Sequence, residues 1–360
     1  MDPKILNEPR WLQEQAAGRG CYEAYFVVAS DAKAGVGVWL RWAFDVKLDG
    51  SVEPSVWGAF FDRADPSRTF SLRAVHGAAA IGRAGEAGVL AIGEAKLTDA
   101  GCEGEVEGGG HSLRWRLSFA DQGSATDDAA QLVTPGFLRP IAALKRSGYY
   151  IPRPHLRVSG ALEVDGRPVE LRDAPGCQAH LHGATRYPAW AWAHCSSFDE
   201  TRDASLDLLS IEGPGGIWFP LFSFRYQGRL HRFAELPWIA RSTSSRASPS
   251  WHVTAEDATL AIDGVIHAPV EQMVEVEYVN PDGRRQFCVN TELAHVELKV
   301  RTRSFPGAQW RPEGTLRCVG GAGLEFCGPA ADSRVGNKMQ TAFAAASNGS
   351  GAEVRAATSR

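Results

Sequence analysis

The sequence predicts an all-β protein made of two antiparallel β-barrel or sandwich domains with few short helices. Three observations lead there. Apolar and polar residues alternate with period two along many short segments, as half-buried strands do. Turn signals such as Asp49-Gly50, Asp165-Gly166 and Asn280-Pro281-Asp282-Gly283 separate those segments, where hairpins need them. Helical periodicity is nearly absent. A chain of 360 residues exceeds what one core fills, so two units of about 150 residues each fit the length. They are placed at 18–174 and 175–334, with 335–360 as a disordered tail.

Taken in order, residues 1–20 are polar, with a short helix at 11–17. Strands follow at 22–28 and 36–48. The second puts Val36, Val38, Leu40, Trp42, Phe44, Val46 and Leu48 on one face and Arg41, Asp45 and Lys47 on the other, as in a half-buried antiparallel strand. Further strands are expected at 56–61, 89–97 and 111–119. A polar loop spans 120–135, and a short helix 140–147. Tyr149 to Pro154 is extended, because a residue before proline is pushed out of the α region. A hairpin of 156–164 and 169–171 leads into the middle of the chain. The second half continues with 206–211, 217–226 and 229–234, then a Ser-rich loop at 241–250. Strands at 258–262, 270–279, 286–290, 293–303, 315–319 and 323–327 complete the pattern. Beyond Pro329 the chain turns to Ala, Ser, Asn and Gly without a strand pattern, apart from a short helix near 339–345.

Composition narrows the function. The formal net charge of −4 gives no basic footprint for nucleic acid. Seven cysteines, without a CxxC pair, read as buried free thiols in a reducing compartment. The N-terminus lacks the pattern of a secretory signal, and no apolar run is long enough for a membrane helix. The expected location is therefore the cytoplasm. No nucleophile elbow, P-loop or dinucleotide fingerprint occurs, and no cofactor is expected. A β-protein with eleven Trp and sixteen Phe can line an apolar cavity with them, though packing alone also uses them, and the expected partner is a hydrophobic small molecule. Oligomeric state is left open.

Residues 176–200 concentrate the chemistry, with three histidines, two tryptophans and a tyrosine. On strands, side chains at i and i+2 share a face. His180 and His182 therefore pair up, as do Trp190, Trp192 and His194, with Ala191, Ala193 and Cys195 behind. One reading is acid–base chemistry: His194 against Asp199 or Glu200, aided by His182 and His180, since imidazole titrates near neutrality. Tyr187, Trp190 and Trp192 then stabilise a developing carbocation through their π faces. Trp218, Phe222 and Phe224, which share a face of 217–226, join them as substrate-binding residues. A second reading makes His180, His182 and His194 a three-histidine metal site. The plainest reading is a core strand whose histidines are merely hydrogen-bonded.

Several short motifs resemble one superfamily. They are Tyr22-Glu23-Ala24-Tyr25, Gly37-Val38-Trp39-Leu40-Arg41, Val56-Trp57-Gly58-Ala59-Phe60-Phe61, His182-Gly183, Trp190-Ala191-Trp192-Ala193-His194-Cys195 and Gly323-Leu324-Glu325-Phe326-Cys327-Gly328. Together they look like the lipocalin-like two-barrel group of carotenoid 1,2-hydratases, tocopherol cyclases and related fungal cyclases of the Diels–Alder type. That resemblance covers about residues 20–330. It implies two lipocalin-like β domains that hold an isoprenoid, polyketide or lipid. It also implies cofactor-independent cyclisation, hydration or isomerisation, or else non-catalytic carriage of the same ligands. The hydratases carry an acidic residue beside the histidine of the central motif, and His180-Leu181-His182 has none. The Trp190–Cys195 motif is closer to the cyclase-like branch.

Overall fold

The computed structural model describes residues 6–10, 18–82, 88–121, 131–132 and 148–343. Two curled antiparallel sheets make up nearly all of it, and no helix of seven or more residues interrupts them among the described residues. The all-β expectation holds. The helices expected at 11–17 and 140–147 lie outside the described residues.

The first sheet takes the N-terminal half: β1 (Cys21–Asp31), β2 (Val36–Val46), β3 (Val52–Asp62), β4 (Phe70–Val75), β5 (Ile81–Gly82), β6 (Gly88–Ile92), β7 (Ala95–Thr98), β8 (Gly101–Gly108), β9 (His111–Asp121), β10 (Gln131–Leu132), β11 (Gly148–Val164) and β12 (Arg167–Gly183). The second holds β13 (Trp190–Cys195), β14 (Ser205–Glu212), β15 (Trp218–Tyr226), β16 (Arg229–Arg232), β17 (Thr243–Ala247), β18 (Ser250–Glu256), β19 (Leu260–His267), β20 (Val274–Val279), β21 (Arg285–Thr302), β22 (Arg311–Gly328) and β23 (Asn337–Lys338). A last strand, β24 (Gln340–Phe343), returns to the first sheet. The chain changes sheets once in its middle, between Gly183 and Trp190.

Residues 335–343 correct the expected tail and its helix. Val335 is buried. β23 pairs in parallel with β20, and β24 with β4. Both strands satisfy backbone groups on sheet edges that would otherwise stay open.

Three apolar layers result. Leu40, Trp42, Phe44, Phe60 and Trp115 fill the curl of the first sheet. Phe222, Phe224, Phe233 and Trp251 fill that of the second. A third core lies between the sheets, where Phe26, Trp39, Trp57 and Phe61 of the first meet Trp192, Val276, Tyr278 and Leu293 of the second. Close approach depends on Gly37 of β2, where a side chain would meet Glu292 Cβ of β21 at 2.7 Å.

This third layer overturns one expectation. β2 alternates as predicted, with its even-numbered residues in the first core. It is not half-buried, however: all eleven residues are enclosed. The second sheet covers the face assigned to solvent, and Arg41 and Asp45 are only 4% and 7% exposed. All seven cysteines are free and buried, as expected. No helix among the described residues is long and apolar enough to cross a membrane, which says nothing of spans made by strands.

Candidate active site

A cavity of about 690 Å³ opens at the edge of the third core, within the range of small-molecule sites. It lies between the sheets and not inside a barrel, because the interior of each curl is already packed. Phe26, Trp39 and Arg41 reach it from the first sheet, and Trp190, Trp192, Leu209, Tyr278 and Glu325 from the second. Trp218, Phe219 and Leu236 close the outer end, with Tyr187 beside them.

The walls are aromatic and the polar groups few. Glu325 stands on β22, on the face turned toward the first sheet, and what exposure it has opens on the cavity. Its Oε1 accepts a hydrogen bond from Trp190 Nε1 at 2.6 Å. Burial pushes its carboxyl above the usual range, outweighing hydrogen bonds from Cys288 and Trp190 and the charge of Arg41, which pull the other way. A carboxyl so placed stays protonated at higher pH than an exposed one.

Arg41 faces the same space. Its guanidinium lies 4.9 Å from the Tyr278 ring, 5.5 Å from Trp57 and 5.9 Å from Trp39, close enough for cation–π attraction. Nη1 reaches the Tyr278 hydroxyl at 3.5 Å. Nε and Nη2 have no partner among the described residues. A second guanidinium, Arg186, lies in the connection between sheets. It bonds Asp45 at 3.0 Å and lies over Tyr22 at 4.3 Å. Burial dominates Tyr22 and raises its hydroxyl to about 12.

The residues singled out from sequence divide into groups. Trp190, Trp192, Tyr187, Trp218 and His182 line the cavity. Phe222 and Phe224 do not; they belong to the core of the second sheet. Parity holds on β13, where Ala191, Ala193 and Cys195 face that core and Trp192 faces the first sheet. On β12 it runs the other way, for Cys177 and Ala179 join the layer between sheets. His180 therefore points into the first curl, stacked on Tyr25 at 4.2 Å. Its Nε2 bonds Glu23 at 2.7 Å, and its Nδ1 bonds the Leu6 carbonyl. The acidic neighbour that is missing along the chain thus comes from the adjacent strand. His182 meets the Tyr150 hydroxyl at 3.3 Å.

His194 is buried behind Trp192, its Nδ1 2.9 Å from Asp207. Asp207, directly across the β13–β14 pair, takes the partner position expected of Asp199 or Glu200. Those two are exposed in the bend after β13, where the Asp199 amide bonds the Arg317 carbonyl and Glu200 accepts from the Arg317 amide. Among the described residues no group of His, Cys, Asp and Glu is arranged to hold a metal ion. The three histidines of the metal reading are split between the two sheets.

Sequence reasoning gave no role to Arg41, Arg186, Tyr278 or Glu325. Arg41 carried a signal: a charge between Leu40 and Trp42 on a long alternating strand. Glu325 appeared only inside a glycine-rich motif. Its importance arises from Trp190, which lies 135 residues away in the chain.

The chain has known relatives. A family model described as tocopherol cyclase-like matches residues 94–316, more than half of it. Two uncharacterized proteins, from two strains of Mycobacterium tuberculosis, are 25% identical over 311 residues, covering 83% of this chain and 86% of theirs. Among solved structures, an AttH protein of Nitrosomonas europaea has a TM-score of 0.47 at 14% identity, covering 88% of this chain and 94% of that one. The structure of CghA has a TM-score of 0.49 at 8% identity, covering 88% and 90%.

Proposed function

The chain belongs to the tocopherol cyclase-like family, and on that premise we propose that it is a cyclase-type enzyme in which Glu325 is the general acid. The substrate is a hydrophobic molecule carrying an alkene and an oxygen function, of isoprenoid, polyketide or lipid origin. Its body lies against Trp190, Trp192, Phe26 and Leu209. Its oxygen bonds to Arg41, which lines the cavity and whose Nε and Nη2 have no partner among the described residues.

The neutral Glu325 carboxyl gives its proton to one alkene carbon. The Glu325 O–H bond breaks, a C–H bond forms, and positive charge develops on the neighbouring carbon. The π faces of Trp190 and Trp192 attract that charge. A substrate hydroxyl then attacks the cation, forming the C–O bond that closes the ring, and its proton leaves to the buried polar groups. Attack by water instead gives hydration. A carboxylic acid suits this site because it enters an apolar wall uncharged, whereas an imidazolium must be buried as a cation. His182 lines the same space beside Tyr150, placed to orient the substrate oxygen. His194, His180 and Asp199 have no direct contact with substrate in this reading.

The observation that carries the proposal is one carboxyl in an aromatic cavity, hydrogen-bonded by an indole and shifted by burial toward its protonated form. Freshly purified wild type and Glu325→Gln are extracted and the small molecules compared by mass spectrometry. Wild type is expected to yield the cyclised or hydrated product, and the variant its unconverted precursor. The same unchanged ligand from both supports a carrier and contradicts the enzyme.

A further inference from the structure

Behind Trp192 the layer between the sheets holds a second polar cluster, which the cavity wall does not include. Both carboxyl oxygens of Glu292, both amide atoms of Asn290, His194 Nε2 and Asp207 Oδ2 have no hydrogen-bond partner among the described residues. Glu292 and Asn290 are each 1% exposed, His194 3% and Asp207 4%. Buried polar groups are normally satisfied, by protein or by internal water. A cluster this dense, all on one layer, needs something to bridge it.

Strand register connects the cluster to Glu325. Asn290 of β21 stands directly across from Glu325 of β22. One step further the pairing shifts: Thr291 opposes Leu324, but the next pair is Ala294 with Ala322. Glu292 and Leu293 therefore both stand against Gly323, a bulge of the kind that re-aims a side chain beside an active site. Gly323 leaves the notch that Glu292 occupies. A Cβ there would lie 2.7 Å from Glu292 Oε2 and 2.9 Å from the Trp192 ring. Gly323 and Glu325 share a face two residues apart, about 6.6 Å along the strand, a gap that one water can bridge between side chains. Across the other edge Gly323 pairs with His194, which is bound to Asp207.

We propose that Glu292 is a second acid of this site, a neutral carboxyl linked to Glu325 through Asn290 and internal water, which returns to Glu325 the proton that the substrate takes. The inference rests on the reading of Glu325 as the acid. As the O–H bond of Glu292 breaks, that of Glu325 re-forms. Glu292 then takes the proton released by the attacking hydroxyl, so the cycle consumes none. The groups around Glu292 agree with a neutral state. Glu325 of the second sheet and Cys177 of the first are in electrostatic reach of it, Asn290 lies two residues before it on β21, and the His194–Asp207 pair lies across Gly323 from it. Of the two guanidinium groups in this layer, Arg41 stacks on Tyr278, Trp57 and Trp39 and Arg186 is paired with Asp45. Burial pushes the Glu292 carboxyl well above the carboxylate range, and the charge of Glu325 pushes it further. Cys177 is raised by burial, then by Asp207 and Glu292.

Infrared difference spectroscopy of the full-length protein, without ligand, in light and heavy water tests this. Two protonated-carboxyl bands are expected at neutral pH, titrating in two separate steps as coupled groups do. Glu292→Gln removes one band, shifts the other and leaves a single step. The proposal is overturned if Glu292→Gln removes no such band, or leaves the Glu325 band and its titration unmoved. Should that variant fail to fold, Glu325→Gln decides. A protonated band that persists and titrates in one step upholds a neutral Glu292, and no band left at neutral pH overturns it. If instead Glu325→Gln removes no band that wild type shows, the reading of Glu325 fails while that of a neutral Glu292 stands.

Discussion

Replacing Arg186 by Met removes a buried cation that bonds both sheets. Arg186 sits in the connection between Gly183 and Trp190, where the chain passes from one sheet to the other. Its Nη2 bonds Asp45 of β2 at 3.0 Å, and its Nη1 bonds the Val279 carbonyl of β20 at 3.2 Å. The pair is buried on both sides, with 5% and 10% of the side chains exposed. Removing one partner of a buried ion pair costs about 3–5 kcal/mol, because the other charge is left without compensation. The lost cation–π contact with Tyr22 adds about 0.5–2 kcal/mol. Part of each figure is shared with the other, so the expected total is about 4–5 kcal/mol. Adding Asp45→Asn removes the stranded charge and is expected to recover about half of the loss. Urea unfolding followed by tryptophan fluorescence reads both variants through their midpoints. The reasoning is refuted if Arg186→Met loses less than about 1 kcal/mol, the scale of an exposed pair. It is also refuted if the double variant is the less stable of the two.

Two other outcomes follow from the same geometry. Gly323→Ala is expected to cost about 1–3 kcal/mol through overpacking, since its Cβ would press on Glu292 and Trp192; unchanged unfolding would show that the notch is slack. Asp257 offers a test on the acid side. Burial alone would raise its carboxyl, but hydrogen bonds from His231 and from the Thr259 and Leu260 amides outweigh that and hold it at about 2. Its folded value is depressed, so its contribution is present above the unfolded value of about 4 and is lost as pH falls through about 2. Asp257→Asn is expected to cost about 1–2 kcal/mol near neutrality, allowing for screening, and the gap from wild type should close in acid. A gap constant with pH would contradict that cause.

The strands were legible because alternation is local. Residues 36–48 read as one strand, and its even residues from Val36 to Phe44 lie in the first core as read, but the strand ends at Val46 and Leu48 is 71% exposed beyond it. What lies over the odd face is not local. Arg41 and Asp45 are buried by residues well over a hundred positions later, such as Tyr278 and Arg186. Parity also carried the β13 tryptophans to the cavity, but it could not be run back to His180. The connection between Gly183 and Trp190 is irregular, and the two strands belong to different sheets. Asp199, close to His194 in sequence, lost its place to Asp207, which is close to it across a strand pair. Glu325 and Glu292 were hidden for the same reason. A carboxyl on an alternating strand reads as solvent-facing until a second sheet covers it.

The pH dependence of kcat/KM, on the ligand that the purified protein converts, tests the role of Glu325 most directly. An acid that must carry its proton, with a value raised above the usual carboxylate range, gives activity that is full below that value. Activity should then fall about tenfold per pH unit above it, and this descending limb should be absent from any residual activity that Glu325→Gln retains. Activity that rises with pH through the same range, or a variant that keeps the wild-type profile, would contradict the account.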